Sequence, residues 1–193
     1  MAQRLRKSPV CFCDMDGVVA DFVQGILDHH RRESPYTTSV GDEAWDLAGL
    51  LGLSDEEFWA EVDLDFWADL EPTTEAFWLV EYLLDAFGKD HFCFLTAPAD
   101  TPGCIEGKAQ WLRRWFPKLS DDVVFTKAKR HCAHSCAFLV DDRTSNVTSF
   151  IAFGGNACLL PRPWNSNHAR QVQPTVVDSV DAFLRSTRTA GLS

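Results

Sequence analysis

The residues of this chain that could do chemistry fall into four short clusters. Asp14 and Asp16 stand two apart in "CFCDMDGVVADF", at the end of an apolar run; Asp141 and Asp142, followed by Arg143, close a second run in "FLVDDR". Thr96 ends a third run in "FLTAP", and Lys108 sits in "EGKAQW". A single aspartate at a strand end reads as a turn or a helix cap. Two acidic pairs at one edge of a sheet do not, because like charges at short range repel unless a cation lies between them. Asp14, Asp16 and Asp141 make an oxygen-rich set for a hard cation. Mg2+ is the ion that keeps waters and takes substrate phosphate oxygens as its remaining ligands. Such a cation lets one aspartate stay ionised and nucleophilic while it cancels charge on a phosphate. Lys108 falls beside Ile105 and Leu112 in the helical stripe Ile105, Ala109, Leu112, Phe116, on or next to the core side. A lysine there must snorkel to water or find an anion.

These residues need a scaffold that brings strand ends together. Apolar runs of strand length recur at Val10–Cys13, Phe92–Leu95, Val123–Phe125, Ala137–Val140 and Ala157–Leu160, each followed by a segment with helical patterning. That alternation predicts an α/β fold, a doubly wound parallel sheet covered on both faces, with ligands at the carboxyl ends of the strands. Helix signals agree: Thr101-Pro102 as N-cap and first-turn proline before Ile105–Phe116, Thr74 to Phe87 ending at Gly88, and Asp178 before Val180–Leu184, with a frayed tail beyond. The stretch from about Gln24 to Pro72 holds helical patterns and no convincing strand. It predicts a small helical cap, residues 24–72, inserted after the first strand into a core formed by 1–23 and 73–193. Its aromatic residues are expected mainly to fill a small bundle, with a few facing the cleft.

At 193 residues with 46% hydrophobic content, the chain can bury a full core. Its formal net charge is -10, and from Glu33 to Gly88 there is no Lys or Arg, which argues against nucleic acid polymers as partners. No apolar run approaches the roughly 20 residues that cross a bilayer, so no membrane partner is expected and a cytoplasmic location is the default. Seven cysteines in a chain that does not look secreted read as free thiols. The segment "HCAHSC", carrying His131, Cys132, His134 and Cys136, lacks the second ligand pair of a structural zinc site.

The motifs "DMDGVVADF", "FLTAP", Lys108 in "EGKAQW" and "VDDR" resemble, in order, the four motifs of the haloacid dehalogenase (HAD) superfamily of phosphohydrolases. The extended first motif, the helical insert and "FWADLEP" resemble the 5'(3')-deoxyribonucleotidases within it. The resemblance implies a Rossmann-like core with a helical cap, Mg2+ as cofactor, and hydrolysis of nucleoside monophosphates. It makes Asp14 the nucleophile that forms an aspartyl-phosphate and Asp16 the general acid and base, whose backbone carbonyl also binds Mg2+. Thr96 and Lys108 would hold phosphate, Asp141 would complete the metal site with Asp142 in support, and Arg143 would point to the substrate. Phe22, Trp45 and Trp59 fall where the family surrounds the base with aromatic rings. Ala97 replaces a serine found in many relatives, and the basic position before the fourth strand is either Lys127 or Lys129. Another small phosphomonoester, such as a sugar phosphate, is the main rival substrate, and a catalytically silent binding module is the rival class. The sequence does not give the oligomeric state, and a homodimer is compatible with it.

Overall fold

A computed structural model describes residues 8–36 and 46–190. Five strands, β1 (Val10–Cys13), β2 (Phe92–Thr96), β3 (Val123–Phe125), β4 (Ala137–Asp141) and β5 (Asn156–Leu159), form one parallel sheet in the order β3-β2-β1-β4-β5. The chain runs outward from β1 through β2 to β3, then returns to the other side of β1 for β4 and β5. The strand order therefore switches direction at β1, and crevices form at the carboxyl ends beside such a switch. The architecture is the expected Rossmann-like, doubly wound α/β sheet, and the strands lie within a residue of the bounds expected from the apolar runs.

Alternate residues of each strand point to opposite faces, and both faces are covered. One face buries Cys11, Cys13, Phe94, Phe138 and Val140 against α5 (Ala76–Phe87), α6 (Cys104–Trp115) and α8 (Val172–Ala190). The other, smaller face buries Leu95, Ala137 and Leu139 against Phe150 of α7 (Thr144–Ala152). Between β1 and α5, the described residues form only helices: α1 (Phe22–His29), α2 (Leu47–Leu51), α3 (Asp55–Trp59) and α4 (Leu64–Asp69). Short, well-capped helices suit this segment. Asp21, Asp46, Ser54 and Asp63 each accept a backbone N–H with the side chain, and Ser54 and Glu57 form a reciprocal capping box.

The structure departs from the expected helix signals at two places. α6 begins at Cys104, after Gly103 in the left-handed region with φ +73°, rather than at Thr101-Pro102. The Thr101 hydroxyl is occupied elsewhere, accepting from Trp67 Nε1 at 3.0 Å. The buried face is also rotated from the expected stripe: Ile105 is 51% exposed, whereas Cys104, Gly107, Lys108, Trp111 and Leu112 are buried. The cause is α4. A Cβ on Gly103 would lie 2.6 Å from Leu64 Cβ, and one on Gly107 would lie 2.5 Å from the Leu64 carbonyl oxygen. Two glycines on one face of α6 let the backbones of α4 and α6 approach, and that contact replaces the Ile105 side. α8 begins at Val172 and continues to Ala190, so Asp178 lies inside the helix and the chain stays helical past Leu184.

Candidate active site

The sheet register explains how distant acidic residues meet. Cys13 of β1 lies level with Val140 of β4, so the next residues, Asp14 and Asp141, leave the sheet side by side. The Asp14 N–H extends the ladder by donating to the Val140 carbonyl at 2.9 Å. Carboxylate oxygens of Asp14, Asp141 and Asp142 lie within 4.8 Å of one another, and all three residues are buried.

Lys129 occupies the centre of this charge cluster. It lies in a 3-10 turn after β3, is 2% exposed, and its Nζ reaches Asp14 Oδ2 at 2.6 Å and Asp141 Oδ2 at 2.7 Å. Burial alone would lower its pKa, but the two carboxylates hold it above the ordinary lysine range. Of the two lysines left open by the sequence, Lys129 is thus the one inside the acidic cluster. Lys127 is largely exposed and pairs with Asp100 at 2.5 Å.

The two motif-four aspartates have different surroundings. Both oxygens of Asp141 are engaged: Oδ2 with Lys129, Oδ1 with the Arg143 N–H at 2.9 Å, and both with Asn146 Nδ2 at 3.1 Å. Asp142 Oδ2 accepts from Trp164 Nε1 at 2.7 Å, whereas Asp142 Oδ1 is buried without a hydrogen-bond partner. Burial pushes the Asp142 carboxyl well up, and the charges of Asp141 and Asp14 add to the shift. Burial likewise raises Asp141, against the pull of Lys129. A buried carboxylate oxygen with no partner, in a set of three carboxylates, is what a hard divalent cation would satisfy. The residues present fit such an ion.

Lys108 is 1% exposed and does not snorkel. Its ammonium donates to Asp16 Oδ2 at 2.5 Å, Thr96 Oγ1 at 2.9 Å and the Ala97 carbonyl at 2.9 Å, and lies 4.9 Å from the centre of the Trp67 ring. All three of its N–H groups are therefore used, and they tie the first motif to the end of β2. Asp16 remains half-buried, with its second oxygen, Oδ1, lacking a partner. Burial pushes its carboxyl up; Lys108 opposes the shift and Asp14 reinforces it. A carboxyl raised in this way can give and take a proton nearer neutral pH.

A cavity of about 700 Å³ opens over these groups. Its floor holds Asp14, Asp16, Lys129 and Asp142, and its walls include Arg143, Phe22, Trp59 and Trp67. Phe22 stacks on Trp67 with centroids 5.4 Å apart and planes 8° apart, and meets Trp59 at 6.2 Å. Rings in mutual contact leave no slot between them, so Phe22 and Trp59 form one aromatic wall rather than two jaws. Trp45 lies outside the described residues. Trp67 belongs to the aromatic residues of the cap, of which a few are expected to face the cleft; sequence reasoning does not find Asn146, Arg162, Trp164 or Asn165. The last three lie in the "RPWN" run after β5, which holds no carboxylate and matches none of the four motifs.

No curated protein matches the chain. A crystal structure of YfnB from Bacillus subtilis, described as a HAD-hydrolase and bound to magnesium, aligns over 80% of this chain and 87% of its own with 13% identity and a TM-score of 0.48. Among the described residues, no helix is long and apolar enough to cross a membrane. The family described as 5' nucleotidase, deoxy (pyrimidine), cytosolic type C protein matches residues 8–177. With the match spanning the sheet, the acidic cluster and the cavity, the chain belongs to this 5'-nucleotidase family.

Proposed function

We propose that the protein is a Mg2+-dependent phosphatase of nucleoside monophosphates, with deoxyribonucleotides as the preferred class, working through an aspartyl-phosphate. The observation that carries this reading is the cluster of Asp14, Lys129, Asp141 and Asp142 at the strand-order switch, opening into a cavity with an aromatic wall. The family match supplies the substrate class.

In this reading Asp14 attacks phosphorus and the bond to the ester oxygen breaks, leaving phosphate on the Asp14 carboxylate. Asp16, its carboxyl raised by burial, protonates the departing oxygen and then takes a proton from the water that releases phosphate. Lys108 holds Asp16 and Thr96 in place and, with Lys129, offsets the charge of the phosphoryl oxygens. Bound Mg2+ supplies charge neutralisation at the phosphoryl group. Asp14 and Asp142 are the side chains proposed to hold it, with the Asp16 carbonyl. Asp141, expected from sequence as the metal ligand, is reassigned to holding Lys129, because it is fully buried and does not line the cavity, whereas Asp142 lines it and keeps Oδ1 without a partner. Residues 24–72 act as a cap over the cleft, Arg143 meets the substrate at the rim, and the base lies on the wall of Phe22 and Trp59. A cytoplasmic location accords with the family description.

Steady-state rates on deoxyribonucleoside monophosphates, ribonucleoside monophosphates and sugar phosphates, with Mg2+ and with a chelator, test the reading. Deoxyribonucleotides should lead, chelation should abolish turnover, and Asp14→Asn should be inactive while keeping its fold. A faster rate on a sugar phosphate would overturn the substrate class, and full turnover in chelator would overturn the metal.

A further inference from the structure

The loop after β5 places no carboxylate in the acidic cluster, yet it grips both acidic loops. Trp164 is buried, and its indole N–H donates to Asp142 Oδ2 at 2.7 Å. Asn165 Nδ2 donates to the Asp142 carbonyl at 2.8 Å and to the Leu160 carbonyl at 2.8 Å. Side chain and backbone of Asp142 are therefore held by consecutive residues. Arg162 of the same loop donates from Nε to the Gly17 carbonyl at 2.6 Å and pairs with Glu75 at 2.9 Å, which anchors the turn that follows Asp16. Gly17, with φ +72°, closes the contact, since a Cβ there would lie 2.2 Å from Asp142 Oδ2 and 3.1 Å from the Trp164 ring.

A free carboxylate can turn about its last bond and offer either oxygen. Here the indole commits Oδ2, and the oxygen left without a partner is Oδ1. We propose that Trp164 is a positioning residue for the cation: its indole N–H sets the rotation of the Asp142 carboxylate and keeps one oxygen free to ligate, while Asn165 fixes the backbone beneath it. The proposal rests on the cation reading of the site, and groups that orient a metal ligand typically affect affinity by about 10- to 100-fold.

Trp164→Phe keeps the aromatic packing and removes the donor. Calorimetric titration of the substrate-free full chain with Mg2+ alone should show a dissociation constant raised about 10- to 100-fold. Activity should recover toward the wild-type rate at saturating Mg2+, and the thermal midpoint in chelator should stay close to that of the wild type. A merely structural role would lower the thermal midpoint and leave the Mg2+ constant unchanged; that result, or an unchanged constant in a folded variant, overturns the proposal. Failure of the wild type to bind Mg2+ would instead overturn the cation reading itself. Should the variant not fold, the indole N–H resonance of Trp164 in 15N-labelled wild-type protein should shift with the same Mg2+ midpoint as calorimetry, and a resonance that stays in place through the titration overturns the proposal.

Discussion

Lys129 shows how a single buried cation can stabilise an acidic site. It pairs with both Asp14 and Asp141, at 2.6 and 2.7 Å, and all three side chains are buried. Removing one partner of a buried ion pair leaves the other charge uncompensated, which typically costs about 3–5 kcal/mol. Lys129→Met should therefore lower unfolding stability by about that amount in chelator. Added Mg2+ should restore part of the loss, because the ion supplies positive charge to the same carboxylates. Denaturant unfolding of both proteins, with and without Mg2+, measures this. Equal stability of the two in chelator would show that the cluster is already neutralised by protonation, a state that burial of Asp141 and Asp142 favours.

At the scale of elements, the contact between α4 and α6 is what delivers Lys108. Gly107 precedes the lysine, and a Cβ there would lie 2.5 Å from the Leu64 carbonyl oxygen and 2.6 Å from Trp67 Cβ. Neither neighbour is the flexible end of a side chain, so the helices must separate. Gly107→Ala should cost about 1–3 kcal/mol, the range for overpacking a tight interface, despite the better helix propensity of alanine. Separation also moves Lys108 relative to Thr96 and Asp16, so kcat should fall along with the thermal midpoint. Stability and kcat both at wild-type level would mean that the helices close by another route.

On the proposed reading, charge over the whole molecule selects substrate size. The segment from Glu33 to Gly88 contains no Lys or Arg, and two of its carboxylates, Asp46 and Asp55, stand on the cavity wall. The acidic face thus borders the cleft that the substrate enters. A mononucleotide needs favourable charge only near Lys108, Lys129 and Arg143. An oligonucleotide must carry further phosphates past those carboxylates, and the repulsion is longest-ranged at low salt, where the Debye length is about 30 Å at 0.01 M. A nucleoside monophosphate should be hydrolysed with far higher kcat/KM than a 5'-phosphorylated ten-mer, and the gap should narrow as salt rises. Similar values for the two at low salt would contradict this.

The five strands, their parallel pairing and the four motif clusters are legible in the amino-acid order alone. Those features depend on local pattern: unbroken apolar runs, a polar residue where each run ends, and fixed short spacings such as Asp14 to Asp16. That order also separates Lys108 from an ordinary surface lysine, because a cation on an apolar stripe is anomalous whatever surrounds it. Which of Lys127 and Lys129 enters the acidic cluster depends on packing, since two residues apart on a connecting turn they differ only in direction. The same holds for Asp141 and Asp142, adjacent residues whose roles are divided by Asn146 on one side and Trp164 on the other. The face of α6 that turns inward, and the meeting of Phe22, Trp59 and Trp67 in one wall, also come from packing between segments far apart in the chain. Hydrophobic period identifies an element from its own residues. The orientation of a side chain within a site is set by neighbours that contact it from elsewhere in the fold, and no local pattern encodes them.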